Sequence, residues 1–248
     1  MKKEIRVTLR YPVNFACSLA MIFVFAALLG SVGAIFFSGG QMIGLALSGL
    51  IMMEAFSDSL WGVGFSLSAE RYQGTLESFY LTPANRFSSI AARFGITFFW
   101  TPITILLCLL LMRAYGISYD LSALLILLPL FSMLLGLGCA LAGLCLLYRQ
   151  TGQLLINVTQ FSLMILCAFF FPFSSLPQPL LWLSRAVPFS YGIDAFRATL
   201  LNTPTELLGI RAEILLLLIF GIIVPVAGYY VYKIAERRVL EEGGLRVY

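Results

Sequence analysis

Two carboxylates sit inside an otherwise oily run. Glu54 and Asp58 interrupt the apolar stretch 41–68 and lie four residues apart, so a helix there places both on one face. A carboxylate at membrane depth costs at least a few kcal/mol, so it must face protein or water rather than lipid. The pair reads in one of two ways. It is a polar patch on a transport pathway or subunit contact, or it is a pair of protonated or hydrogen-bonded packing residues beside Ser57 and Ser59. A water-filled vestibule next to them would lower the cost of either.

Other chemistry is easier to set aside. The chain has no histidine, which removes Ser-His-Asp triads, histidine general bases and the commonest metal ligand. It has no G-x-x-x-x-G-K-[ST] phosphate loop. Its five cysteines (Cys17, Cys108, Cys139, Cys145, Cys167) all fall in apolar runs without a C-x-x-C pair, and read as small buried hydrophobes. No catalytic, cofactor-binding or metal-binding residue is expected.

Charged residues make up 11% of the 248 positions, against roughly 25% in a soluble domain, and 60% are hydrophobic, so the chain reads as an integral membrane protein. The apolar runs are continuous rather than alternating, which predicts helices and not a barrel. One transmembrane domain is expected over 1–248. It starts with a basic interfacial helix at 2–11. Spans follow at 13–37, 41–68, 92–112, 121–147, 154–172 and 212–233, and a charged tail occupies 234–248. The first apolar run lacks a convincing small-residue cleavage site, so it reads as a retained span. Between spans five and six the chain is punctuated by Pro177, Pro179, Pro188 and Pro204, and the pieces between them are too short to cross a ~30 Å core. Trp182, Phe189 and Tyr191 suit a membrane interface. Two short helices, 177–186 and 189–202, are expected there as a re-entrant or surface hairpin. Gly136, Gly138, Ala140, Ala142 and Gly143 allow close helix approach in span four. Aromatic clusters in spans one, three and five can pack the core or line a passage for an apolar or amphipathic substrate.

Counting Lys and Arg by side places twelve with both termini, 70–93 and 148–153, and four on the opposite face. Both termini are therefore expected in the cytoplasm and the hairpin outside. The cytoplasmic stretch Glu70–Gly95 carries two helix starts. Gly74 permits a sharp turn, and Thr75 can cap a helix whose Leu76, Phe79 and Tyr80 form one apolar stripe. Pro83 ends it, and Thr82-Pro83 opens a second helix. Locally this is a loop on the membrane surface or a docking element for a soluble partner.

The residues Glu70-Arg71-x-x-Gly74-Thr75-Leu76-Glu77-x-x-x-Leu81-Thr82-Pro83-x-x-Arg86 resemble the loop between spans two and three of ABC-2 type permeases, the membrane subunits of ABC exporters. The hairpin with Pro177, Pro188, Tyr191 and Arg197 also looks like this family. The resemblance implies an all-α fold of six transmembrane helices. A cytoplasmic coupling helix would lie between spans two and three, with connecting helices filling 70–91, and an outer re-entrant helical hairpin between spans five and six. It implies docking of P-loop ATPase subunits on Glu70, Arg71, Gly74, Thr75, Leu76, Glu77, Phe79, Tyr80, Leu81, Thr82, Pro83 and Arg86. ATP and Mg would then be bound by the partner and not by this chain. It implies a second permease copy, as homodimer or heterodimer, in the plasma membrane, and no nucleic acid. The substrate expected is amphipathic: a drug, a lipid or a lipid-linked glycan. The competing reading is an ion-coupled carrier or channel that works without an ATPase through Glu54 and Asp58. An intramembrane enzyme is the weakest reading, since no nucleophile has a base.

Overall fold

The computed structural model describes residues 17, 20, 21, 23, 24, 28, 40–64, 97–148 and 151–241. Backbone groups in lipid must pair within the chain, and every regular element among the described residues is helical. Helix α1 is Gly40–Ser59 and runs on into a π turn at Leu60–Gly64; α2 is Thr97–Ala114. A 3-10 turn, Leu121–Leu125, leads into α3, Leu127–Leu147, and α4 is Gly152–Leu166. Two short helices, α5 (Gln178–Ala186) and α6 (Pro188–Leu201), precede the long α7, Ile210–Glu241. The described positions between 17 and 28 are helical and exposed. The expected interfacial helix at 2–11 and the coupling and connecting segments at 70–91 lie outside the described residues, as does 242–248.

Among the described residues, three segments are long and apolar enough to cross a membrane: Met42–Gly62, Leu121–Leu147 and Ile210–Val239. Thr101–Ala114 and Gly152–Leu166 are shorter apolar helices. Within the fold most of the α1 segment is buried and most of the α7 segment is exposed.

Glycine sets the tightest helix contact. A methyl group on Gly228 would run into the Gly136 carbonyl oxygen, and one on Gly143 would meet the Tyr232 Cα at 2.8 Å. Gly136 and Gly143 are two helical turns apart, so α3 and α7 touch backbone to backbone along a seam. The Ser132 hydroxyl adds a hydrogen bond to the Gly221 carbonyl at 2.7 Å.

The helix of the expected fifth span ends at Leu166, six residues short of 172. The Ala168 N–H donates to the Ile165 carbonyl and the Phe169 N–H to the Met164 carbonyl. That is the double bond pattern of a helix end with a left-handed residue, and Ala168 takes φ +50° where glycine is usual. The turn drives Phe169 into the core, where its ring meets Phe56 of α1 edge-on at 5.0 Å; Phe56 meets Phe189 of α6 at 5.2 Å. The aromatic residues at the end of the expected span thus cross-link the bundle to the hairpin. At the start of α6, Pro188 is preceded by an extended Val187, which fixes the bend between α5 and α6. Asn202, at φ +52°, closes α6.

Candidate functional site

Glu54 and Asp58 share one face of α1, as their spacing predicts, and both are half-buried. The Asp58 Oδ2 oxygen is buried without a hydrogen-bond partner. Its neighbour Ser59 turns away and donates to the Leu134 carbonyl at 2.8 Å. Helix α1 widens into the π turn just beyond Asp58, and Trp61 within that turn donates to the Gln160 side chain of α4 at 2.8 Å. Such a turn leaves one residue out of the regular ladder and is often found at functional positions. The carboxylates therefore stand at a helix irregularity tied to α4.

The exposed face of α4 is mixed in character. A shallow open depression runs along it, lined by Gln153, Asn157, Phe161, Ser162 and Ile165 together with Leu154 and Val158. Phe161 is 57% exposed. Alternating amide, hydroxyl and apolar side chains on one helix face can meet an amphipathic molecule, or a second helix, with either kind of contact.

A second polar centre lies where α4 ends and α7 begins. Arg197 of α6 is 5% exposed and reaches the broken end of α4, donating Nη1 to the Phe171 carbonyl at 3.3 Å and Nη2 to the Phe169 carbonyl. Those carbonyls lie beyond the last helical residue of α4, so a side chain must serve them. Gly49 of α1 packs on the same peptide: a methyl group there would strike the Phe169 oxygen. Burial pushes the Arg197 guanidinium down to about 10, while Asp194 and Glu206 raise it, so it stays cationic at neutral pH.

Asp194 lies three residues before Arg197 and accepts from the Glu206 and Leu207 N–H groups, both at 2.8 Å. Glu213, in the first turn of α7, accepts from the Leu208 N–H at 2.9 Å. Asp194 and Glu213 thus serve three consecutive N–H groups, which brings the two carboxyl groups onto one short stretch of backbone. The Glu206 carboxylate accepts from the Ser174 N–H at 2.6 Å. Four charged side chains thus fasten the end of α4, the hairpin and the 203–209 connection to one another.

Of the residues expected at the hairpin, Arg197 belongs to this centre. Pro177 and Pro188 shape the helix starts, and Tyr191 donates its hydroxyl to the Arg185 carbonyl at 2.6 Å. The docking residues from Glu70 to Arg86 lie outside the described residues. Sequence reasoning missed Asp194, Glu206 and Glu213. The available signal was Asp194 three residues before Arg197, an acid and a base on one helix face in a stretch otherwise read only for its prolines. Among the described residues, no group of three or more His, Cys, Asp or Glu side chains is arranged to hold a metal ion.

These features define a polytopic helical membrane protein whose charged residues gather at helix breaks. The chain belongs to the ABC-2 type transporter family: the model of that family matches residues 1–201, from the N-terminus through α6. It is accordingly the membrane component of an ABC transporter, a permease. No curated protein matches the chain.

Proposed function

We propose that this chain is the permease subunit of an ATP-driven exporter, working as a dimer. Separate P-loop ATPase subunits would dock on the helix from Thr75 to Leu81. The family match over 1–201 carries this reading, because that interval contains the Glu70–Arg86 motif. Leu76, Phe79 and Tyr80 enter a groove on the ATPase, and the segment from Pro83 to Arg86 passes the movement into the next span. The mixed face of α4 lines the passage in the dimer, and its alternation of Gln153, Asn157 and Ser162 with Phe161 and Ile165 favours an amphipathic drug, lipid or lipid-linked glycan. Glu54 and Asp58 border that passage behind α4. The hairpin caps its outer end, both termini face the cytoplasm, and the membrane is the plasma membrane.

Reconstitution tests the reading. With its ATPase partner, the chain is expected to move an amphipathic probe only when ATP is hydrolysed, and a crosslinker at Phe79 is expected to capture the ATPase. Gly74→Val, which strains the turn, and Glu77→Lys, which reverses a first-turn charge, are expected to uncouple hydrolysis from transport. Transport by the chain alone on an ion gradient would overturn the exporter assignment. It would favour a carrier acting through Glu54 and Asp58, for which the unpartnered Asp58 oxygen is the supporting observation.

A further inference from the structure

Asp194 and Glu213 serve the consecutive N–H groups of residues 206, 207 and 208, and that placement has a chemical requirement of its own. Two buried carboxylates brought onto one short stretch of backbone repel each other unless one of them carries a proton. Water does not relieve the pair: Asp194 is 4% exposed and Glu213 is fully buried. The second Glu213 oxygen, Oε2, is buried without any donor from the rest of the protein. That orphan oxygen on a fully buried side chain beside another acid is where a proton is missing from the hydrogen-bond account.

The surroundings do not remove the need. Glu206 is acidic and adds repulsion at Asp194. Arg197 interacts electrostatically with Asp194, but its Nη groups are committed to the Phe169 and Phe171 carbonyls and its buried Nε has no acceptor. On the neighbouring elements, Arg185 of α5 and Arg211 of α7 are exposed, and the Asp120 carboxylate before the 3-10 turn accepts from the Ser122 N–H. Cys167, at the end of α4, lies by Ser190 and Arg197. Leu130 and Leu217 fill the space over Gly192 in between.

The pair also holds something that can let go. Asp194 and Glu213 together accept the N–H groups of residues 206, 207 and 208, so the connection between α6 and α7 is held by these two side chains. We propose that Asp194 and Glu213 bind a single proton between them, and that its release unfastens the 203–209 connection from the hairpin. The latch is closed while the proton is bound. Because the closed form binds one more proton than the open form, closure is favoured at low pH and is lost as pH rises.

Hydrogen exchange read by mass spectrometry on the full chain in lipid nanodiscs tests this. Peptides covering 203–209 are followed from about pH 6 to about pH 9, with the intrinsic pH dependence of exchange divided out; release of one proton makes the opening equilibrium rise about tenfold per pH unit above the midpoint of the pair. Glu213→Gln keeps a neutral hydrogen-bonding group in place and is expected to abolish that rise, as is Asp194→Asn. Peptides from α3 serve as the control and are expected to show no pH response. Protection of 203–209 that stays flat across the range in the unaltered chain overturns the proposal. So does a rise that persists undiminished in both variants. No substrate or ATPase enters the measurement, so its outcome is independent of the exporter assignment.

Discussion

The molecule has two acidic pairs, each with one buried oxygen that no donor reaches, and only one of the pairs holds backbone N–H groups. Glu54 and Asp58 come from one helix, are half-buried, and leave an Asp58 oxygen without a partner. Asp194 and Glu213 come from two helices, are buried, and accept the backbone N–H groups of three consecutive residues. A carboxylate surrounded by backbone donors holds structure together, and removing it strands those donors. The Asp58 oxygen at the π turn that no donor reaches fastens no backbone group. Acid at membrane depth is therefore no single signal. What decides its role is whether the local backbone has spare N–H groups, and helix interiors have none to give. The connection at 203–209 does.

The sharpest break in this contrast is Arg197→Met. It leaves the Phe169 and Phe171 carbonyls buried without a donor and removes the cation beside Asp194, and is expected to cost about 3–5 kcal/mol. A thiol-reactive dye that reports exposure of the buried cysteines during heating measures it; an unchanged midpoint would deny the hairpin centre its structural role. Gly49→Ala comes next. Its methyl group must displace the Phe169 peptide, at about 1–3 kcal/mol. It is also expected to speed labelling of Cys167 where that is the sole cysteine, and a Cys167 as protected as before would mean that α1 does not hold the break.

Asp194→Ala is expected to lower stability by about 1–2 kcal/mol, since the buried Leu207 N–H loses its acceptor while the N–H of exposed Glu206 can turn to solvent. Asp58→Asn should have the smallest effect on stability, within about 0.5 kcal/mol of the parent or slightly above it, because no donor depends on the carboxylate. If the transport reading of the α1 pair holds, Asp58→Asn still lowers coupled transport in vesicles. Equal stability losses from Asp194→Ala and Asp58→Asn would dissolve the comparison.

Much of this was legible in the residue order. Continuous apolar runs determined a helical membrane protein, because lipid offers the backbone no other partner. Small residues at Gly136 and Gly143 marked a close helix contact before any partner helix was known, since a backbone can approach only where no Cβ stands. The Glu70–Arg86 motif pointed to the family that the match over 1–201 establishes. The spacing of Glu54 and Asp58 fixed their common face, because helical periodicity is a local property.

The break at Ala168 was not legible: neither glycine nor proline marks it, and hydropathy continues straight through Phe169, Phe170 and Phe171. It exists because Phe169 gains a place between α1 and α6, and because Arg197, 28 residues further on, serves the carbonyl that the turn exposes. Likewise nothing in the order of residues joins Asp194 to Glu213. The sequence by itself determined the solvent this chain lives in, its helices and its kinship. Which acids are held and which are left free was decided only when distant segments supplied, or failed to supply, hydrogen-bond donors in the folded bundle.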